Sequence, residues 1–291
     1  MPPITTWAAN LNLLKMLKTI SASLNESFKL IWKNKSLAVL LLILQLIFFA
    51  IFISINLKYQ TKILESSVAI ADYMSKLELD DISIASDILE KRNVLGDDPS
   101  SISRNYNEIA ENFKLYMTYI FILLIIFLSI SWAITLKSIY KINLKLAIHN
   151  LFKIFIVLLF YLGSIFLFFF SLFNVSFSQI ASESAFLTKY YVFFVFSMIL
   201  AYFMFVSLAL LHKTELKDIV QKTLAIGIRK AHYILSAYFI NIFLFGTSVA
   251  LFSYFIEKNF FVLFLSIVLI ILSFVFGRIF MIKVVDNLTK N

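Results

Sequence analysis

Residues 211–246 read LHKTELKDIVQKTLAIGIRKAHYILSAYFINIFLFG. The stretch is basic and amphipathic as far as His232 and apolar after it, and no proline separates the two parts. This order is typical of a helix on a membrane surface that is followed by a helix entering the bilayer. It recurs at 25–52 and at 141–163. The stretch therefore predicts a membrane protein in which surface helices alternate with membrane spans.

The composition indicates the same class of protein. Hydrophobic residues make up 61% and charged residues 15% of the 291 residues, whereas soluble domains are about 45–50% apolar and about 25% charged. The apolar residues also form long blocks, and a hydrocarbon core of about 30 Å requires about 20 such residues per helix. We therefore predict an all-α, polytopic membrane protein.

Six blocks are long enough to be membrane spans. They cover residues 36–57, 116–136, 154–174, 190–211, 233–255 and 260–284. The segments between them are predicted as N-terminal amphipathic interfacial helices at 1–35, an extracytoplasmic helical hairpin at 58–115, interfacial helices at 137–153 and 212–232, and a tail at 285–291. An interfacial helix followed by a transmembrane hairpin thus occurs three times, which predicts three structural repeats.

The basic residues predict the orientation. Segments 1–35, 137–153 and 212–232 carry five, four and five lysine or arginine residues, whereas the short loops on the opposite side offer only Lys189 and Lys258. Because basic residues are retained in cytoplasmic loops, we expect a cell-membrane protein with both termini cytoplasmic and 58–115 extracytoplasmic.

The net charge of +9 predicts lipid contacts. Since the basic residues flank apolar spans, we expect the bilayer and its anionic headgroups as partners, and no nucleic acid. The chain contains no cysteine, which excludes disulfides and cysteine-ligated metals. It matches no catalytic, nucleotide or metal motif. We therefore expect no catalytic residue, no metal site and no cofactor.

The segment 58–115 has the pattern of an antiparallel helical stalk. Apolar residues step by four and three in a seam of coiled-coil type, at Ile102, Tyr106, Ile109, Phe113, Tyr116 and Ile120. Gly96 to Ser100 then predict the turn between the two arms. The stalk could simply cover the bundle, or it could bind a membrane-protein partner.

The layout of interfacial helices and transmembrane hairpins resembles poorly characterised multi-span membrane proteins of archaea and bacteria. These include proteins similar to the membrane domain of some glycerophosphodiester phosphodiesterases. The resemblance covers the chain outside 58–115 and carries no functional residues. No stretch corresponds to the soluble phosphodiesterase domain, so that activity is not implied.

Three strongly polar side chains in the predicted spans are candidates for intramembrane contacts. Gln45 and Asn241 fall near the middle of spans one and five, where they could bond to each other, to nearby serines or to a substrate. Arg278 is expected near the cytoplasmic end of span six, where a long side chain can reach the interface. No Asp, Glu or His is predicted near a span centre, which disfavours ion-coupled transport.

Two glycines are candidates for helix kinks. Gly163 and Gly246 occupy roughly equivalent places in the second and third repeats, and transporters often interrupt helices at matched positions. Together these features predict a non-enzymatic multi-pass protein, acting as a scaffold or an accessory subunit. The alternative is a carrier or permease for a lipid or hydrophobic substrate.

Overall fold

The computed structural model describes residues 4–80, 100–178, 183–256 and 260–290, with side chains at 14–72, 103–172, 188–256 and 261–290. These residues form eight α-helices and, within the described ranges, no strand. The helices are α1 Ile4–Lys33, α2 Lys35–Asp80, α3 Ser100–Tyr140, α4 Leu144–Ser178, α5 Glu183–Leu210, α6 Leu216–Arg229, α7 Ala231–Phe255 and α8 Phe260–Lys290.

Six of these helices, α2, α3, α4, α5, α7 and α8, are long and apolar enough to cross a membrane. Each one covers one predicted span, apart from the last residue of the span at 190–211, so the predicted all-α, polytopic fold is confirmed. Large apolar side chains such as Phe160, Phe194 and Phe239 are exposed on these helices, as expected where lipid replaces water around the protein. The chain is a multi-pass integral membrane protein.

The chain divides into two compact units, one of residues Met1–Leu46 with Ile125–Asn291 and one of Ile47–Leu124. In the larger unit α8 packs against α7, α1 and α5, while α5 also contacts α4 and α6. Its core includes the fully buried side chains of Trp132, Leu158, Leu208, Ile234 and Phe280. This burial makes α8 the helix around which the larger unit is packed.

In the smaller unit α2 and α3 run antiparallel. Tyr59 stacks on Tyr119 with ring centroids 5.8 Å apart, and the Ser66 hydroxyl donates to Glu108 Oε2 at 3.2 Å. A later position on α2 therefore contacts an earlier position on α3, which is the antiparallel arrangement. The predicted turn at 96–100 begins among residues outside those described.

The structure has no separate helix at 137–153, and the predicted interfacial position of this segment stays a prediction. Helix α3 continues to Tyr140, the chain turns at Lys141 with φ 50°, and α4 then runs without a break from Leu144 into the span. The Asn143 side chain accepts a hydrogen bond from the Leu146 N–H at 2.9 Å. Because a side-chain oxygen at this position satisfies a free N–H of the first turn, the helix begins here instead of at the span boundary.

The predicted tail at 285–291 is helical as far as Lys290, because α8 continues to that residue. Val285 and Leu288 are buried in the main core, and Asp286 is buried beside them. Burial of a valine and a leucine contributes about 1.5–3 kcal/mol each, which holds this end of the helix in place. The end of α8 is thus part of the packed unit.

Helix α6, predicted within 212–232, has a packed face and an exposed apolar face. Ile219, Thr223 and Gly227 are buried, and the Tyr202 hydroxyl on α5 donates to the Gly227 carbonyl at 2.7 Å. A Cβ at Gly227 would lie 2.8 Å from the Phe203 ring, so glycine permits this close approach. The exposed face carries Val220, Leu224 and Ile228 at four-residue spacing.

Candidate functional site

A cavity of about 240 Å³ lies between α5, α7 and α8 in the larger unit. Its lining is mostly aromatic and aliphatic, with a few polar groups. The lining residues are Phe205, Tyr238, Asn241, Ile242, Phe245, Ser273, Phe274, Gly277, Arg278 and Met281. An apolar cavity with a few convergent polar groups is the usual form of a small-molecule site.

The cavity opens at an outer surface of α7 and α8. Ile242, Phe245 and Phe274 line it and are also exposed. The rings of Phe245 and Phe274 lie 4.8 Å apart at an angle of 49°. Since this surface belongs to two spanning helices, the opening faces the region that lipid occupies.

Arg278 supplies the only charged side chain among the residues that line this cavity. It is 8% exposed, and its Nη1 atom is buried without a hydrogen-bond partner. The residues that the structure describes also offer it no ion pair. Burying a charge without a partner costs free energy, so an anion bound at this position would stabilise the protein.

The predicted place of Arg278 near the cytoplasmic end of the last span stays a prediction. Helix α8 continues to Lys290, which is about three turns, or about 18 Å, beyond Arg278. The side chain is enclosed by protein, since Arg278 is 8% exposed.

Asn241 lines the same cavity from α7. Its Nδ2 atom donates to the Gly277 carbonyl oxygen at 3.3 Å, while its Oδ1 atom is buried without a partner. A Cβ at Gly277 would lie 3.3 Å from the Asn241 Cγ and Oδ1 atoms. Glycine at 277 therefore makes room for the amide, and the Oδ1 acceptor has no partner among the described residues.

Of the predicted polar positions, the structure brings together Asn241 and Arg278 but not Gln45. Gln45 is buried on α2 and does not line the cavity. The side-chain oxygens of Gln45 and Asn241 both lack a hydrogen-bond partner, so the two amides are not bonded to each other.

The two candidate kink positions lie inside uninterrupted helices. Gly163 is half-buried in α4 and Gly246 is exposed in α7. A Cβ at Gly246 would meet nothing within 4 Å, so packing does not require glycine there. A functional bend at either position stays a prediction.

A polar cluster around Asp286 was missed in the sequence analysis. The Tyr140 hydroxyl donates to Asp286 Oδ2, and Lys213 Nζ donates to Oδ1 at 2.6 Å and to Thr289 Oγ1 at 3.2 Å. His212 Nε2 lies 3.3 Å from Oδ1, and its ring stacks on Tyr140 with centroids 3.9 Å apart. The cluster joins the end of α3, the segment after α5 and the end of α8.

This cluster is held by charge-assisted hydrogen bonds, which are shorter and stronger than neutral ones. The His212 Nδ1 atom lies 3.1 Å from the Ala209 carbonyl oxygen. Since a carbonyl oxygen can only accept, Nδ1 carries a proton in this bond. The described residues include no group of three His, Cys, Asp or Glu side chains placed to hold a metal ion. The geometry thus fits a clamp between helix ends.

Comparisons with protein-family models, with curated proteins and with solved structures give no match to this chain. The resemblance to phosphodiesterase-associated membrane domains stays a prediction.

Proposed function

We propose that the protein is a non-enzymatic membrane carrier that binds an acidic amphiphile in the cavity around Arg278. An acidic amphiphile here means a molecule with one carboxylate or phosphate group and an apolar chain. The observation that carries the proposal is the buried, unpaired Nη1 atom of Arg278 in a cavity that opens between spanning helices.

The charge of Arg278 selects the ligand class. Burying an ion without a partner costs several kcal/mol, and the described residues offer no carboxylate to this guanidinium. The nearest acid along α8 is Asp286, about two turns away, and it already binds Lys213 and Tyr140. A ligand carboxylate or phosphate would make charge-assisted hydrogen bonds to the guanidinium.

Asn241 adds a second requirement. Its free Oδ1 atom can only accept a hydrogen bond. A ligand that fits both groups therefore presents an anionic oxygen to Arg278 and an O–H or N–H to Asn241. Fatty acids with a hydroxyl group and glycerol-based phosphate lipids have such heads.

The size of the cavity indicates which part of the ligand enters it. Its volume of about 240 Å³ is below the roughly 300–1,000 Å³ of sites that enclose a whole ligand. The head group would thus bind inside while the chain extends past Phe245 and Phe274 into the lipid. Such lateral entry suits a carrier that takes its substrate from the bilayer.

The test is equilibrium binding of a fluorescent fatty acid and of the matching fatty alcohol to the purified protein in nanodiscs. We expect the acid to bind more tightly than the alcohol. Arg278→Met should weaken acid binding at least tenfold and leave alcohol binding unchanged. Arg229→Met removes an exposed arginine from α6 and should change neither. Equal binding of acid and alcohol by the unmodified protein would overturn the proposal.

Transport is measured separately from binding. Liposomes containing the protein should move a labelled acidic lipid between leaflets faster than empty liposomes, and Arg278→Met should abolish the difference. If the protein binds the lipid but does not move it between leaflets, the carrier function is excluded and a lipid-binding function remains.

A second candidate function is that of an accessory subunit or scaffold. It is favoured by an apolar stripe on α2 that begins at the last residue of the predicted span and continues beyond it, where Leu57, Leu64 and Val68 are each about half exposed or more. A photo-crosslinking residue at Leu64 should capture a membrane protein in cells, whereas one at Lys62 should capture less. Equal capture at both positions would count against this function.

We further propose that both termini are cytoplasmic and that 58–115 lies outside the cell membrane. The asymmetric distribution of lysine and arginine between the two sets of loops supports this orientation.

A further inference from the structure

A second, larger cavity of about 710 Å³ lies between α1, the start of α7 and the end of α8. It is separate from the Arg278 cavity, and the two share no lining residue. Its lining residues are Lys15, Lys18, Thr19, Ala22, Glu26, Lys230, Tyr233, Asn287 and Lys290. We call it the lysine pocket.

The lysine pocket is strongly positive. Four lysines line it, at 15, 18, 230 and 290, and none of them forms an ion pair with a described residue. The single acid, Glu26, has its Oε2 atom 3.6 Å from Lys283 Nζ, so its charge is already partly balanced. Like charges gathered on one cavity repel one another, and a polyanion would relieve that repulsion.

The walls of the pocket are fixed by contacts between α1 and α8. Asn287 Nδ2 donates to the buried Ser23 hydroxyl at 3.0 Å. Further along the same two helices, the rings of Phe28 and Phe276 lie 4.6 Å apart. Lys15, Lys18 and Lys290 therefore belong to helices that pack on each other.

An apolar groove lies between α1 and α7, two of the three helices that line the lysine pocket. Its lining residues are Met16, Leu17, Ile20, Leu235, Ser236, Phe239 and Ile240. On α7 they follow the pocket residues Lys230 and Tyr233 by one to two turns, so the groove continues about 10 Å further along the spanning helix. A polar pocket with an apolar groove on the same helix pair matches the two parts of a phospholipid.

We infer that the lysine pocket and the groove form a binding site for a phospholipid with at least two phosphate charges. The phosphates contact Lys15, Lys18, Lys230 and Lys290, and an acyl chain lies along Met16 and Phe239. Basic pockets between membrane helices bind such headgroups. A single-charge lipid would leave part of the lysine charge unbalanced, so the site distinguishes headgroups by charge.

The experiment is native mass spectrometry of the detergent-purified full chain with added lipids. The probes are diphosphatidylglycerol with two phosphates, phosphatidylglycerol with one, and phosphatidylcholine with no net charge. We expect retention in that order. The double variant Lys18→Gln/Lys290→Gln should weaken diphosphatidylglycerol binding about 25-fold, since each lysine near an anionic lipid contributes about a fivefold factor.

Matched variants distinguish lipid binding at the lysine pocket from attraction to the overall positive charge of the protein. Lys29→Gln/Lys33→Gln removes two exposed lysines from α1 outside the pocket and should leave binding unchanged. Phe239→Ser in the groove should weaken lipid binding, whereas Phe243→Ser, exposed on the same helix outside the groove, should not.

Two outcomes would overturn the inference. If both lysine pairs reduce binding equally, the attraction is not local to the pocket. If free pyrophosphate competes as well as the lipid and Phe239→Ser has no effect, the pocket binds soluble anions and not a phospholipid. Arg278→Met should not change lipid binding at the lysine pocket, because the Arg278 cavity shares no lining residue with this pocket.

Discussion

The hydroxyl of Tyr140 on α3 donates a hydrogen bond to the carboxylate of Asp286 on α8, across 146 positions of sequence. Lys213 binds the same carboxylate from a third part of the chain. The ends of separate helices are thereby joined through one buried aspartate.

Replacing Asp286 by Asn should destabilise the protein by about 1–3 kcal/mol, because Lys213 loses its counter-charge and one of the two acceptor oxygens used by Tyr140 and Lys213 becomes an NH2 donor. The apparent Tm in detergent should fall by several degrees. Glu215→Gln is the control, since Glu215 pairs with Lys217 but both are more than 70% exposed, and exposed pairs contribute little. An unchanged Tm for Asp286→Asn would show that the cluster is not a clamp.

Arg278→Met should raise the stability of the ligand-free protein by about 1–3 kcal/mol, because it removes a buried charge without a partner. Thermal unfolding without added lipid measures this effect. Added acidic amphiphile should then stabilise the unmodified protein and not the variant. A lower Tm for Arg278→Met without ligand would indicate that the guanidinium has a partner within the fold.

Two glycine substitutions should have opposite effects. Gly277→Ala places a Cβ about 3.3 Å from the Asn241 amide, so the amide must shift, and we expect a loss of about 1 kcal/mol with weaker ligand binding. Gly246→Ala meets open space and should stabilise α7 by about 0.5–1 kcal/mol. Thermal melts of the two variants, followed by circular dichroism, measure whether each substitution stabilises or destabilises the protein. Similar changes in both would contradict the packing described for Gly277.

The orientation can be tested with single cysteines, because the chain has none of its own. In intact cells a membrane-impermeant maleimide should label Lys62→Cys on α2 and not Lys222→Cys on α6. Opening the cells should make Lys222→Cys reactive. Labelling of Lys222→Cys in intact cells would reverse the proposed orientation.

The spans were predictable because each is a continuous apolar block whose length alone is diagnostic. The start of α4 was not predictable from hydropathy, since it depends on a left-handed turn at Lys141 and on the Asn143 cap. Both are local features of the backbone and of one side chain, and a hydropathy pattern does not indicate them.

The site was predictable in part. Asn241 and Arg278 stand out because polar residues are rare in apolar helices, but their meeting at one cavity depends on how α7 packs on α8. The Asp286 cluster joins residues 73 and 146 positions apart. No periodic pattern within a single helix indicates such a long-range pairing.

Helix α8 carries Arg278 at the apolar cavity, Asp286 at the clamp and Lys290 at the lysine pocket. These three residues span about 18 Å of one continuous helix. One rigid element therefore fixes the spacing between the two cavities. Because the cavities share no lining residue, the occupancy of each can be measured without the other.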